Sequence, residues 1–193
     1  MEFNTMKKYM KGILPLCLIL LFAVGCAKNT GITLTYPNVG VGASCSGDIV
    51  ILQFADNRPT MALGKYSDGT RITTGTNVAD WVGWALFDEL EKAGCKPRYR
   101  TSSVSPGDAM LVTGEVLSVE LNQTGTTTYT GKVTVKIVIT RAGQRIHVQK
   151  YASQVDDVVV LGYANEADLM AETLRGIMTE AVPVIAALGS NPM

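Results

Sequence analysis

Lys132-Val133-Thr134-Val135-Lys136-Ile137-Val138-Ile139-Thr140 is the stretch that decides the fold. Val133, Val135, Ile137 and Ile139 alternate with Thr134, Lys136, Val138 and Thr140. Successive side chains of a β-strand point to opposite faces, so this period puts one face in a core and leaves the other polar. The neighbouring segments extend it into a three-strand meander over Ala109–Asn122, Thr128–Arg141 and Gln144–Asp156. Ala142-Gly143 supplies the tight turn of the second hairpin. In the first of these strands Met110, Val112 and Val116 share one parity, while Leu117, Val119 and Leu121 share the other. A bulge near Gly114–Ser118 reconciles the two.

Working outward, Asp48–Ala55 is a further strand, whose unbroken Ile49-Val50-Ile51-Leu52 run suits a position covered on both faces. Thr76 or Asn77 caps a helix that runs to about Lys92 and closes at Gly94. Its apolar stripe is Val78, Trp81, Val82, Ala85, Leu86 and Leu90, with Asp88, Glu89 and Glu91 placed elsewhere around it. Lys96–Thr101 is a short strand. Asn165 and Asp168 open a second helix to about Leu188, which Pro183 should kink or interrupt. The order strand, helix, short strand, meander, helix predicts an α+β two-layer sandwich. Its sheet is mostly antiparallel with four to five strands, and both helices pack on one face.

The chain has 193 residues, 17 Lys+Arg against 17 Asp+Glu, one His and four Cys. Zero net charge argues against nucleic acid as a partner, since that partner needs a basic face. The N-terminus reads as an address. Lys7, Lys8 and Lys11 precede an apolar run from Ile13 to Val24, which is shorter than the roughly 20 residues a bilayer-spanning helix needs. Leu21-Phe22-Ala23-Val24-Gly25-Cys26 resembles a lipobox, which makes residues 1–25 a lipoprotein signal peptide and Cys26 the lipid attachment site. Met1–Thr5 ahead of Met6 are an upstream start or an added extension. Ala27 at the second mature position disfavours retention at the inner membrane, and so points to the outer membrane with the domain facing the periplasm. Cleavage before Cys26 leaves 14 basic and 16 acidic residues. Residues 26–47, rich in Gly, Ser, Thr and Asn, then read as the anchor and a flexible tether. Residues 48–189 are a single domain and 190–193 a tail.

Cys45 precedes the first strand and Cys95 follows the first helix. If that helix returns antiparallel to the strand, both stand at one end of the sheet, and an oxidising compartment allows them to pair. The expected disulfide is Cys45–Cys95.

Chemistry is sparse. No nucleophile elbow, Walker A loop or H-E-x-x-H motif occurs, so neither a metal nor a cofactor is expected. His147 shares parity with Arg145, Gln149 and Tyr151, the expected polar face. Asp56-Asn57-Arg58 is the most individual local feature. It is either a structured turn, with Asp56 bonding backbone and Arg58 pairing locally, or a loop that contacts a partner. Lys96, Arg98 and Arg100 alternate along the short strand, as an edge that resists aggregation or as a patch for anionic lipid or glycan.

The lipobox, the strand and loop Ile49–Arg58, Leu63-Gly64, the helix end Leu86…Leu90…Ala93-Gly94 and the strand Leu111-Val112-Thr113-Gly114-Glu115-Val116 together resemble the YajG family of small bacterial lipoproteins. The layout is also similar to the lipopolysaccharide-assembly lipoprotein LptE and to auxiliary lipoproteins of ABC transport systems. The resemblance implies an envelope lipoprotein without catalytic residues. The expected function is a non-enzymatic binding or assembly subunit, held to the membrane by lipid on Cys26 and engaging a protein partner in the envelope, with lipid or glycan as further ligands. One rival is an accessory factor for lipopolysaccharide or phospholipid transport. The other is a hydrolase built on Asp56, Asp156 or His147, which requires two of them within about 4–6 Å.

Overall fold

The computed structural model describes residues 31–102, 107, 109–160 and 165–190. Its strands are β1 (Gly31–Ile32), β2 (Asp48–Leu52), β3 (Ala55–Asp56), β4 (Gly64–Lys65), β5 (Arg71–Thr74), β6 (Lys96–Arg100), β7 (Met110–Gln123), β8 (Thr128–Arg141) and β9 (Gln144–Val158). The helices are α1 (Val78–Lys92) and α2 (Glu166–Ser190). The main sheet runs β6-β2-β7-β8-β9, with β3 pairing on β7, and a small sheet runs β1-β5-β4. The α+β layout holds, with two changes of detail: the main sheet has six strands against the expected four to five, and its pairing is mixed. β2 pairs parallel with both β6 and β7, so half of the sheet is parallel and only the β7-β8-β9 meander is antiparallel. The crossover through α1 is what makes β2 and β6 parallel.

The expected bulge is present: the β7–β8 register shifts between Val116 and Ser118, leaving Leu117 over. A second shift between Ile139 and Thr140 leaves Ile146 of β9 unpaired. At the hairpin, Ala142 and Gly143 both take positive φ, 48° and 77°, as a two-residue turn between twisted strands requires.

Asn77 caps α1 by accepting from the amides of Ala79 and Asp80. Asn165 caps α2 in the same way, and Asp168 reaches back to the Asn165 amide, completing a capping box. Pro183 does not interrupt α2, which continues to Ser190. Proline removes the donor that would serve the Thr179 carbonyl; Thr179 is exposed, so water can serve instead.

The core lies between the sheet and both helices. Ile49, Ile51, Val112, Val116, Val133, Val135, Ile137 and Ile139 meet Val82, Leu86, Leu90, Leu174, Ile177 and Ala181, all buried. Gly114 faces Phe54 so closely that a Cβ there would stand 2.3 Å from the ring. Gly114→Ala is therefore expected to cost about 1–3 kcal/mol by overpacking, read as a lowered denaturant midpoint at unchanged slope.

The disulfide forms as expected. Cys45 and Cys95 are bonded with their Cα atoms 4.7 Å apart, joining the start of β2 to the end of α1. Gly94, at φ 92°, lies against the Cys45 carbonyl, where a Cβ would stand 2.8 Å from its oxygen.

The expected flexible tether is corrected over its described part. Residues 31–32 pair with β5 and residues 34–45 are fastened along α1, so this part does not hang free. Leu34 is buried in the core, and its amide donates to Thr76 Oγ1 at 3.0 Å. The Thr35 carbonyl accepts from Trp81 Nε1 at 3.0 Å. Tyr36 and Val41 both donate to Glu89, at 2.9 Å each. Cys26 and the signal segment lie outside the described residues.

Candidate functional site

The strapping of residues 31–45 over α1 creates a crevice of about 250 Å³, lined by Leu34, Tyr36, Asp80, Trp81, Trp84 and Asp88 among others. Helical spacing explains the assembly, because residues 77, 81, 84 and 88 share one face of α1. Trp81 is buried and anchors the strap. Trp84, one turn on, is 48% exposed. Trp84 is held by its neighbours: it stacks on Tyr99 with centroids 4.5 Å apart and planes at 20°, and meets Phe87 edge-on. Tyr99 can lie against the helix because residue 83 is glycine, whose missing Cβ would stand 2.7 Å from the Tyr99 hydroxyl.

Two carboxylates flank the indole. Asp80 accepts from Gln53 Nε2 at 2.7 Å and from the Tyr99 hydroxyl at 3.1 Å. Burial, followed by the bond to Asp80, pushes the Tyr99 phenol well above its usual range. Burial, and then the charges of Glu91 and Glu89, raise the Asp88 carboxyl above the ordinary range. A rigid, exposed indole beside acceptor oxygens can stack on a flat apolar face and accept hydrogen bonds from hydroxyl or amine groups at its rim.

The Asp56-Asn57-Arg58 segment forms a local network. Arg58 grips Asp56 bidentately, Nε and Nη2 each donating at 2.8 Å. Asn57 Nδ2 donates to Glu115, which Lys136 pairs at 2.8 Å. The structured-turn reading accounts for these bonds; within this network Arg58 Nη1 is buried without a partner. The Arg58 guanidinium holds the Asp56 carboxyl below the usual range. Asp56 therefore favours the folded state at neutral pH, and loses that contribution as pH falls through its lowered value. Arg58→Met is expected to raise the carboxyl back toward the ordinary aspartate range, read by carboxyl-carbon NMR titration.

The hydrolase candidates are dispersed. His147 and Asp156 lie nine residues apart on β9, roughly 30 Å along an extended strand. His147 Nε2 meets the Tyr151 hydroxyl at 3.4 Å, whereas Asp156 bonds Thr130 and Asp56 bonds Arg58. The expected polar face of His147 is corrected. It pairs with Ile139, and Tyr151 with Val135, so both face the helices, and Tyr151 is buried. Lys96, Arg98 and Arg100 are exposed on the edge strand β6. Sequence reasoning missed the Glu89 hub, which is fully buried. Among the described residues no group of three or more His, Cys, Asp or Glu is placed to hold a metal ion. No described helix is long and apolar enough to cross a membrane.

No protein-family model and no curated protein matches the chain. Solved structures do. A Xanthomonas campestris protein described as DUF330 superposes with a TM-score of 0.59 at 12% identity, over 81% of this chain and 94% of that one. The lipoprotein GNA1162 of Neisseria meningitidis gives 0.41 at 12% identity, over 73% and 99%, a superposition too loose to argue from. The solved structures similar to this chain thus include a DUF330 protein and a bacterial lipoprotein, and the first of them shares its fold.

Proposed function

We propose that the chain is a non-enzymatic envelope lipoprotein of the YajG-like kind. Cys26 holds it to the outer membrane, and the Trp84 crevice is its binding site, taking a sugar of an envelope glycan. The observation that carries the reading is the exposed Trp84, braced by Tyr99 and bordered by Asp80 and Asp88. Indole faces stack on the C–H surface of a sugar ring while carboxylates accept its hydroxyls. The dispersal of His147, Asp56 and Asp156 supports a binder over a hydrolase. With residues 31–45 strapped to α1, only Ala27–Thr30 separate Cys26 from the domain. That span reaches at most about 17 Å, so the small-sheet end would ride close to the bilayer.

Titrating the protein with soluble envelope oligosaccharides is expected to shift its indole emission. Trp84→Ala should weaken binding at least about tenfold while the protein stays folded, with about 1–2 kcal/mol of stability lost from the Tyr99 and Phe87 contacts. Absence of saturable binding, or equal binding by Trp84→Ala, would remove the crevice from the account. Cys26→Ser should move the protein from the membrane to the soluble fraction, an outcome that tests the anchor separately.

A further inference from the structure

We propose that β9 is a self-pairing edge through which two copies of the chain join their sheets antiparallel, Lys150 of each opposite Asp156 of the other. β9 is 15 residues long, and among the described residues only β8 pairs with it. The other edge is protected: β6 carries Pro97 between the charged Lys96, Arg98 and Arg100. Two of the exposed large apolar side chains, Val148 at 45% and Val158 at 47%, stand on β9, and Val160 follows it. A long edge with exposed valines is a template for another strand.

The backbone fixes which residues are free to pair. The Val159 amide donates to the Thr127 carbonyl at 2.8 Å. Antiparallel strands exchange bonds at every second residue, so the odd-numbered residues of β9 are spent on β8. Val148, Lys150, Ala152, Gln154, Asp156 and Val158 direct their N–H and C=O groups outward. The Val158 amide, already bonded to the Asp157 carboxylate at 2.7 Å, ends the ladder.

Charge is arranged for a two-fold axis. The first half of β9 holds Arg145 and Lys150, and the second half holds Asp156 and Asp157. Parallel self-pairing would oppose like charges, whereas antiparallel pairing opposes unlike ones. Of the registers that bring outward groups together, the one centred on Ser153 satisfies both features of the edge. It sets Lys150 across from Asp156, Ala152 across from Gln154, and Val148 across from Val158. Shifting the centre to residue 151 or 152 places Lys150 opposite Ala152 or Gln154 and leaves the valines unmatched. A two-fold contact of this kind is isologous and closes at two copies.

The test uses the full chain, as a mixture of ¹⁵N-labelled and unlabelled protein treated with a zero-length carbodiimide. Within one chain Lys150 and Asp156 are six residues apart on an extended strand, about 20 Å, too far for an amide link. A Lys150–Asp156 peptide joining labelled to unlabelled chains is the expected product. Light scattering should show K150D reducing the dimeric fraction roughly five- to tenfold, with K150D/D156K restoring it. Absence of the mixed-label link, a link from Lys150 only to other residues or to a different protein, or failure of the double exchange to restore the dimer would each overturn the proposal. None of these readouts depends on Cys26 or on the crevice.

Discussion

Cys95→Ala is expected to lower the unfolding free energy by roughly 4 kcal/mol, the largest effect of any single change considered. The Cys45–Cys95 bond spans 50 residues, and closing a loop of that length removes about that much denatured-chain entropy. Both cysteines are buried and the bridge sits where β2 begins and α1 ends, so its loss frees the helix from the sheet at one corner. Small domains hold about 5–15 kcal/mol in total, so the variant would keep a modest part of its stability. Urea denaturation measures this directly. Cys45→Ala and the reduced wild-type protein should unfold at nearly the midpoint of Cys95→Ala, and the double variant should be no worse than either single one. A loss below about 1 kcal/mol would mean that the bond holds nothing that packing does not already hold.

Glu89→Ala should cost about 2–4 kcal/mol and loosen residues 31–45 as a unit. Glu89 is fully buried, accepts the Tyr36 hydroxyl on one oxygen and accepts the Val41 amide on the other. Truncation leaves both half-buried donors unpaired, at up to about 1–3 kcal/mol for each orphaned group, offset where water can enter the gap. Burial and the bond to Glu89 hold the Tyr36 phenol well above its ordinary range, as expected of a hydroxyl that donates to a carboxylate in a dry site. Glu89→Gln keeps one carbonyl acceptor and should lose about half as much. Hydrogen exchange at the Val41 amide is the local readout. It should quicken in both variants while amides of β8 remain protected, because the strap can open without unfolding the sheet. Equal quickening in β8 would show instead that strap and core unfold together.

The strength of the sequence signal tracked how completely each element is buried. β8 is a central strand covered by α2, so its alternation was clean and its bounds were legible to the residue. The caps of α1 and α2 were legible because Asn77 and Asn165 act through local bonds. β9 was harder. It is an edge strand with inward positions that include His147, Gln149 and Ser153, and the Ile146 bulge shifts its phase, so parity assigned His147 and Tyr151 to the wrong face. Glu89 was unreadable in the same sense. Its side chain is buried only because a segment some 50 residues earlier folds over the helix, and nothing near it in the sequence announces that cover. The parallel pairing of β2 with β7 also depends on a crossover, whose consequences lie beyond any local pattern.

The crevice was legible in part. Trp81 falls on the apolar stripe read from the sequence, and its ring is buried. The stacking of Trp84 on Tyr99 comes from β6, the strand that follows α1, and required Gly83 to bring the two elements close. Asp56 and Arg58 are two residues apart and find each other without help from the fold, which is why the structured-turn alternative could be framed from the sequence.

The central claim is that Cys26 is the lipid-bearing first residue of the mature chain. Mass spectrometry of the N-terminal peptide from protein extracted out of native envelope tests it most directly. The expected peptide begins at Cys26 and carries the added mass of a thioether-linked diacylglyceryl group. A mature chain that begins elsewhere, or a Cys26 recovered with an unmodified thiol, would contradict it.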